Sequence, residues 1–191
     1  MIRRDLRHNA QMSNGGTSRL GKQIEEAVSA LDRAGVRFAL IGGLALAPHK
    51  VVRATQDVDL LIDSDLANAV DLAFTALGYR CIHRSADAAN YVRNNQRIDF
   101  LYAHRPIARE LLSTAPEFHT PFGTLRVISA EGLIAFKLQG WSNNPRRTQD
   151  LEDIRALIRA NRNTLQMQQV REYFRLFDRE PLLEEILSER E

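Results

Sequence analysis

The sequence predicts an α/β fold of the α+β type: a mixed β-sheet flanked by helices, followed by a helical C-terminal part. Three observations carry that prediction. Up to residue 128, short apolar runs bounded by Gly, Pro and Asn alternate with segments of helical period. From Ser129 onward the apolar positions recur at helical spacing alone. With 191 residues, 44% of them hydrophobic, the chain can bury one sizeable core with a small helical part appended. The expected division is a leader over residues 1–18, an α/β core over 19–128 and a helical part over 129–191.

Residues 1–18 are polar, glycine-containing and aperiodic, which reads as a flexible leader. Leu20, Ile24, Ala27, Val28 and Leu31 then recur at helical spacing until Gly35 stops the pattern. Val36 to Ile41 is a buried strand ending in a Gly42-Gly43 turn. A short helix from Leu44 to Ala47 is cut off by Pro48. Thr55 to Ile62 forms the next strand, and Asp63 or Ser64 can cap a helix to about Leu77 with Leu66, Val70 and Phe74 on its apolar face.

After Gly78, Tyr79 to His83 reads as a strand, and Ala89 to Arg93 with Arg97 to Tyr102 as a hairpin about Asn94-Asn95-Gln96. Pro106 starts a short helix, and Glu117 to Ile128 makes a second hairpin around Pro121-Phe122-Gly123. Ser129 caps a helix carrying Leu133, Ile134, Phe136 and Leu138, and Trp141 to Arg147 is predicted as a loop. Helices over about 149–160, 164–178 and 181–189 complete the chain.

The stretch from Phe38 to Ile62 carries the chemistry. In a strand, residues i and i+2 share a face, so Asp57 and Asp59 would project together while Val58 and Leu60 bury on the other side. Two adjacent carboxylates repel unless a cation lies between them. Mg²⁺ suits the pair: a hard ion that takes one or two carboxylates and leaves positions for water and phosphate oxygens. A lone Asp-x-Asp on a strand also occurs as plain solvent-facing decoration.

Composition narrows the classes. The net charge of +2 and a pI near 8.9 permit an anionic partner without demanding one. A single cysteine, Cys81, excludes an internal disulfide framework and fits a reducing cytosol. No apolar run approaches the roughly 20 residues of a membrane span, and no apolar h-region follows the basic N-terminus. The expectation is therefore a cytoplasmic protein without a membrane partner. The five histidines form no paired zinc motif, and Rossmann and P-loop signatures are absent.

An apolar strand ending in Gly-Gly, a spacer of about a dozen residues, Asp57-Val58-Asp59-Leu60 and then Asp99 on a later strand resemble the polymerase-β-like nucleotidyltransferase superfamily. Arg53-x-Thr55-x-Asp57-x-Asp59, Ser129-x-Glu131-x-Leu133-x-x-x-Lys137 and Arg147-x-x-Asp150-x-x-Asp153 are similar to its AbiEii-type branch, many of whose members are toxins of toxin–antitoxin pairs. The resemblance covers residues 36–158. It implies nucleotidyl transfer from an NTP, with two Mg²⁺ ions held by Asp57, Asp59 and Asp99, and with Asp99 able to take the acceptor's proton.

Gly42 and Gly43 would let backbone approach the triphosphate. Gly43 departs from many relatives, which have Ser there, so one hydroxyl contact to phosphate is missing. The resemblance puts Lys137 at the β- or γ-phosphate and makes Arg53, Thr55 and Arg147 phosphate, cofactor or acceptor contacts. On the residues alone, Lys137 also fits a snorkelling surface lysine, and Arg147, Asp150 and Asp153 fit surface ion pairs.

Two arginine-rich segments, 78–109 and 137–162, could line a basic groove for RNA, the resemblance pointing to a tRNA 3′ end and to a cognate antitoxin. The rival readings are a small-molecule nucleotidyltransferase of the aminoglycoside-modifying kind, a catalytically silent member that binds nucleotide or a partner, and an unrelated phosphate-binding domain.

Overall fold

The computed structural model describes residues 18–189, so the leader expected over 1–18 lies, apart from Ser18, outside the described residues. The Ser18 hydroxyl accepts the Gly21 N–H at 3.0 Å and opens helix α1 (Arg19–Arg33). Strand β1 (Phe38–Leu40) leads through the glycine turn into a 3-10 helix (Leu44–His49). Pro48 lies inside that short helix rather than ending it; Lys50, with φ 64°, does so.

Strand β2 (Val58–Asp63) begins three residues later than the sequence suggests. Residues 51–57 form no regular structure because Arg53 and Thr55 turn onto the glycine turn instead of joining the sheet. Asp63, not Ser64, caps the next segment by accepting the Asp65 N–H at 3.1 Å, and the chain runs on into α2 (Ala67–Ala76).

Strands β3 (Arg80–Arg84), β4 (Ala88–Arg93) and β5 (Gln96–Ala103) follow, then α3 (Pro106–Thr114) and the hairpin β6 (Glu117–Thr120) and β7 (Gly123–Arg126). The five-stranded sheet has the order β1-β2-β5-β4-β3, parallel only at β2–β5. Phe74 of α2 packs edge-on against Phe100, with centroids 4.8 Å apart, and lies beside Tyr91. Helix α2 thus covers the face that carries Val58, Leu60, Ile98 and Phe100. The opposite face, with Asp59 and Asp99, stays open to the C-terminal helices.

Helix α4 (Ala130–Asn143) is capped by Ser129 as expected, but it continues through Trp141 where a loop was predicted. Packing explains the extension: Trp141 joins the rim of the core and Arg179 sits over its ring at 5.7 Å. Helices α5 (Thr148–Ala160), α6 (Met167–Leu176) and α7 (Glu180–Ser188) follow. One apolar cluster runs from Leu40, Leu61 and Phe100 in the sheet to Leu133, Leu138 and Leu157 in the helices. No helix among the described residues is long and apolar enough to cross a membrane.

Candidate active site

Parallel pairing of β2 with β5 sets Asp59 directly beside Asp99. Neighbouring strands lie about 4.8 Å apart, so their side chains emerge together on the open face. Asp57 precedes β2 and is exposed. It is close enough to add its repulsion to Asp59, whose pKa rises from 3.8 to about 6. Burial is the first cause of that rise, then the charges of Asp99 and Asp57. The Gly43 amide and the Lys137 ammonium pull the other way.

Among the described residues no three acids, histidines or cysteines stand ready-made around one metal position. The reason is visible at Asp99, whose carboxylate oxygens both accept from Arg97 Nε at 3.0 Å. Arg97 sits two residues before Asp99, on the same strand face, and supplies the cation the acids lack. Sequence reading missed it, although the period of two that placed Asp57 with Asp59 pairs Arg97 with Asp99 equally well. An all-oxygen set of mutually repelling carboxylates fits a hard divalent ion.

The glycine turn is built around these acids. Gly42 has φ 64°, and a Cβ there would run into the Asp59 carboxylate. The Ile41 N–H donates to the Asp59 carbonyl at 3.0 Å and ties the turn to β2. A Cβ at Gly43 would lie 2.5 Å from Arg53 Nη2 and 2.9 Å from Thr55 Oγ1, so those side chains occupy the space a side chain at 43 would need.

Lys137 is neither a surface lysine nor free to reach across a cleft. It is only 6% exposed, and its Nζ donates to Asp153 at 2.6 Å and to Asp150 at 3.4 Å. Asp153 also accepts from Gln149 at 3.0 Å and lies 3.5 Å from Arg53 Nε. Asp150 accepts from Arg147 Nε at 2.5 Å, over Gly140, where a Cβ would crowd both partners. Asp150 and Asp153 are therefore buried partners of Lys137, Arg53 and Arg147, not surface decoration. Three cations against two anions leave this network one positive charge beside the acids.

Leu101, two residues past Asp99 on the open face, and Ala88, its partner on β4, line a cleft of about 330 Å³ closed by Phe136, Gln139 and Arg147. Several arginines of the two basic segments already have carboxylate partners. Arg84 pairs with Asp71, Arg93 with Glu26, Arg97 with Asp99, Arg109 with Asp65, and Arg155 with Glu152, Glu185 and Glu189. Among the described residues Arg80, Arg105, Arg146 and Arg162 make no ion pair, so the segments are neutralised only in part, which a charge count along the chain cannot reveal.

The family described as "Nucleotidyl transferase of unknown function (DUF2204)" matches residues 21–189. The chain belongs to this family. It is a nucleotidyltransferase by that membership, and its mixed sheet with flanking helices is the fold of the superfamily. The antibiotic-resistance factor ANT(2'')-Ia superposes with a TM-score of 0.64 at 18% identity, over 89% of this chain and 97% of that one. The lincosamide antibiotic adenylyltransferase LnuA gives 0.54 at 15% identity, over 71% and 94%. An antigenic nucleotidyltransferase-like protein from Paracoccidioides brasiliensis gives 0.53 at 17% identity, over 88% and 91%. These identities speak for the fold alone. A search of curated proteins finds no match.

Proposed function

We propose that the chain transfers a nucleoside monophosphate from an NTP to an acceptor hydroxyl on the open face of the sheet, with Mg²⁺ held by Asp57, Asp59 and Asp99. The observation that carries this reading is the in-register pair Asp59 and Asp99, with Asp59 raised to about 6 by burial and by its acidic neighbours. Such a pair is costly unless cations complete it. Bound there, the ions, two by resemblance, would neutralise phosphate charge and favour ionisation of the acceptor hydroxyl.

The chain's own groups supply the rest. The backbone of Gly42 and Gly43 gives the triphosphate close approach. Thr55, whose Oγ1 fills the space over Gly43, restores the hydroxyl that serine supplies in relatives. Arg53 and Arg147 present guanidinium edges to phosphate or acceptor, at 31% and 58% side-chain exposure. Lys137 acts from within the network and keeps positive potential beside the acids. The acceptor oxygen attacks the α-phosphorus, the bond to the bridging oxygen breaks, and pyrophosphate leaves. Asp99 takes the hydroxyl proton once Arg97 has released its carboxylate.

A second reading keeps the AbiEii-type branch, with a tRNA 3′ end as acceptor, a cognate antitoxin and a cytoplasmic site. The assembly of Arg53, Lys137, Arg147, Asp150 and Asp153, all from the branch-like motifs, into one network favours it. The carboxylate partners of Arg84, Arg93, Arg109 and Arg155 favour a compact acceptor instead. Incubation with Mg²⁺ and α-labelled NTPs, beside total RNA and a small-molecule panel, tests both. Label on a small acceptor, lost with Asp59→Asn, is the expected result. Label confined to RNA turns the choice to the second reading, and metal-independent label sinks the metal assignment.

A further inference from the structure

We infer that the acceptor is an amphipathic small molecule, uncharged or anionic, whose hydroxylated end meets the acids and whose apolar body lies in a groove between α3, α4 and α6. Its hydroxyl end rests on the nucleotidyl-transfer reading; the groove rests on geometry. Two residues of strand carry the open face from Asp99 to Leu101, about 7 Å, and Leu101 floors the cleft of about 330 Å³. Arg105, Ala108, Phe136 and Gln139 wall that cleft and also wall a second hollow of about 600 Å³. The two hollows therefore adjoin across four shared residues. The first is mixed in character; the second is lined mainly by apolar side chains, among them Ile107, Leu111, Leu176 and Phe177.

Exposure supports a ligand there. Five large apolar side chains stay exposed among the described residues, and two of them, Ile107 and Leu176, line this one groove. Apolar surface gathered in a hollow beside polar groups marks a binding site rather than scattered surface. Its continuity with the acid face identifies the occupant as the acceptor's own body.

Charge sets the class. Asp87 is the only acid in the two linings, and His104 holds it at 3.2 Å. Among the described residues Arg105 makes no ion pair, and Arg147 adds a second guanidinium. A polycationic acceptor would meet no surplus carboxylate here, whereas an uncharged or anionic one meets the unpaired Arg105 and the exposed edge of Arg147, whose Nε is held by Asp150.

The test titrates the whole protein by NMR with n-octyl β-D-glucoside below its micellar concentration, with methyl β-D-glucoside as the chainless match and octyltrimethylammonium as the cationic one. The octyl glucoside should shift the amides of Ala108, Phe136 and Leu176 and bind at least about tenfold more tightly than methyl glucoside, because its chain leaves water. The cationic probe should bind more weakly than the octyl glucoside. Ile107→Asp and Leu176→Asp, both at exposed positions, should each erase the chain-length gap and leave Mg²⁺–ATP binding unchanged. Equal affinities with and without the chain, shifts elsewhere, or preference for the cation would overturn the proposal, as would a groove that admits only a protein segment. Octyl glucoside binding without any Mg²⁺–ATP binding would sink the nucleotidyl-transfer reading and spare the groove.

Discussion

Asp59 carries an electrostatic penalty that its neighbours explain: it is partly buried, it stands in register with Asp99, and Asp57 approaches from before the strand. The consequence for pH has a definite sign. A carboxyl whose folded pKa is raised contributes stability that is fully present below its ordinary value, near 3.8, and is lost as pH rises through about 6. In metal-free protein, Asp59→Asn should therefore gain stability over wild type at pH 7.5 but not at pH 4, by up to about 3 kcal/mol. Urea unfolding at the two pH values checks this, and a pH-independent difference would contradict it. Transfer activity should fall in the same variant by at least about a thousandfold.

Gly43 gives a second prediction at the same scale. Relatives with serine there suggest that Gly43→Ser is harmless, but Thr55 Oγ1 and Arg53 Nη2 already fill that volume. Gly43→Ser should raise the KM for NTP by about tenfold with a smaller effect on melting temperature, because the partly exposed Arg53 and Thr55 side chains rather than the apolar core bear the strain. A steady-state series over NTP concentration decides it, and an unchanged KM would place the triphosphate elsewhere.

At the scale of elements, Lys137 joins α4 to α5 and, through Asp153 and Arg53, to the segment that crosses the glycine turn. Removing one partner of a buried ion pair strands the others in a poorly solvated place. Lys137→Met should therefore cost about 3 kcal/mol of stability as well as activity. A lysine that only touched phosphate would lose activity alone. Denaturant midpoints beside turnover numbers separate the two roles, and an unshifted midpoint would refute the network's structural share.

Across the whole molecule, the sheet buries one face under α2 and leaves the other to α3 and α4, so the acids lie between the β-rich half and the helices that follow it. A ligand that binds only the folded state stabilises it by mass action, about 2.7 kcal/mol at a hundred times its Kd. Mg²⁺ with NTP should raise the melting temperature, and a chelator should abolish the rise. Asp59→Asn should show almost none of it. A calorimetric scan checks the set, and an undiminished rise in the variant would remove Asp59 from the metal site.

The sequence by itself determined the alternation of elements, the glycine turn, the Ser129 cap and the strand positions of Asp59 and Asp99, because these follow from local periodicity and turn chemistry. The family resemblance was legible for the same reason: its motifs are short and lie on predictable elements. Tertiary structure alone decided that β2 and β5 are parallel neighbours in register, since pairing joins residues forty positions apart and nothing local encodes it. It also decided that Lys137 is clamped by Asp150 and Asp153, that Arg97 holds Asp99, and that Arg84, Arg93 and Arg109 already have carboxylate partners. Spacing along a chain shows which charges exist; only packing shows which of them face one another, and electrostatic energy depends on that distance.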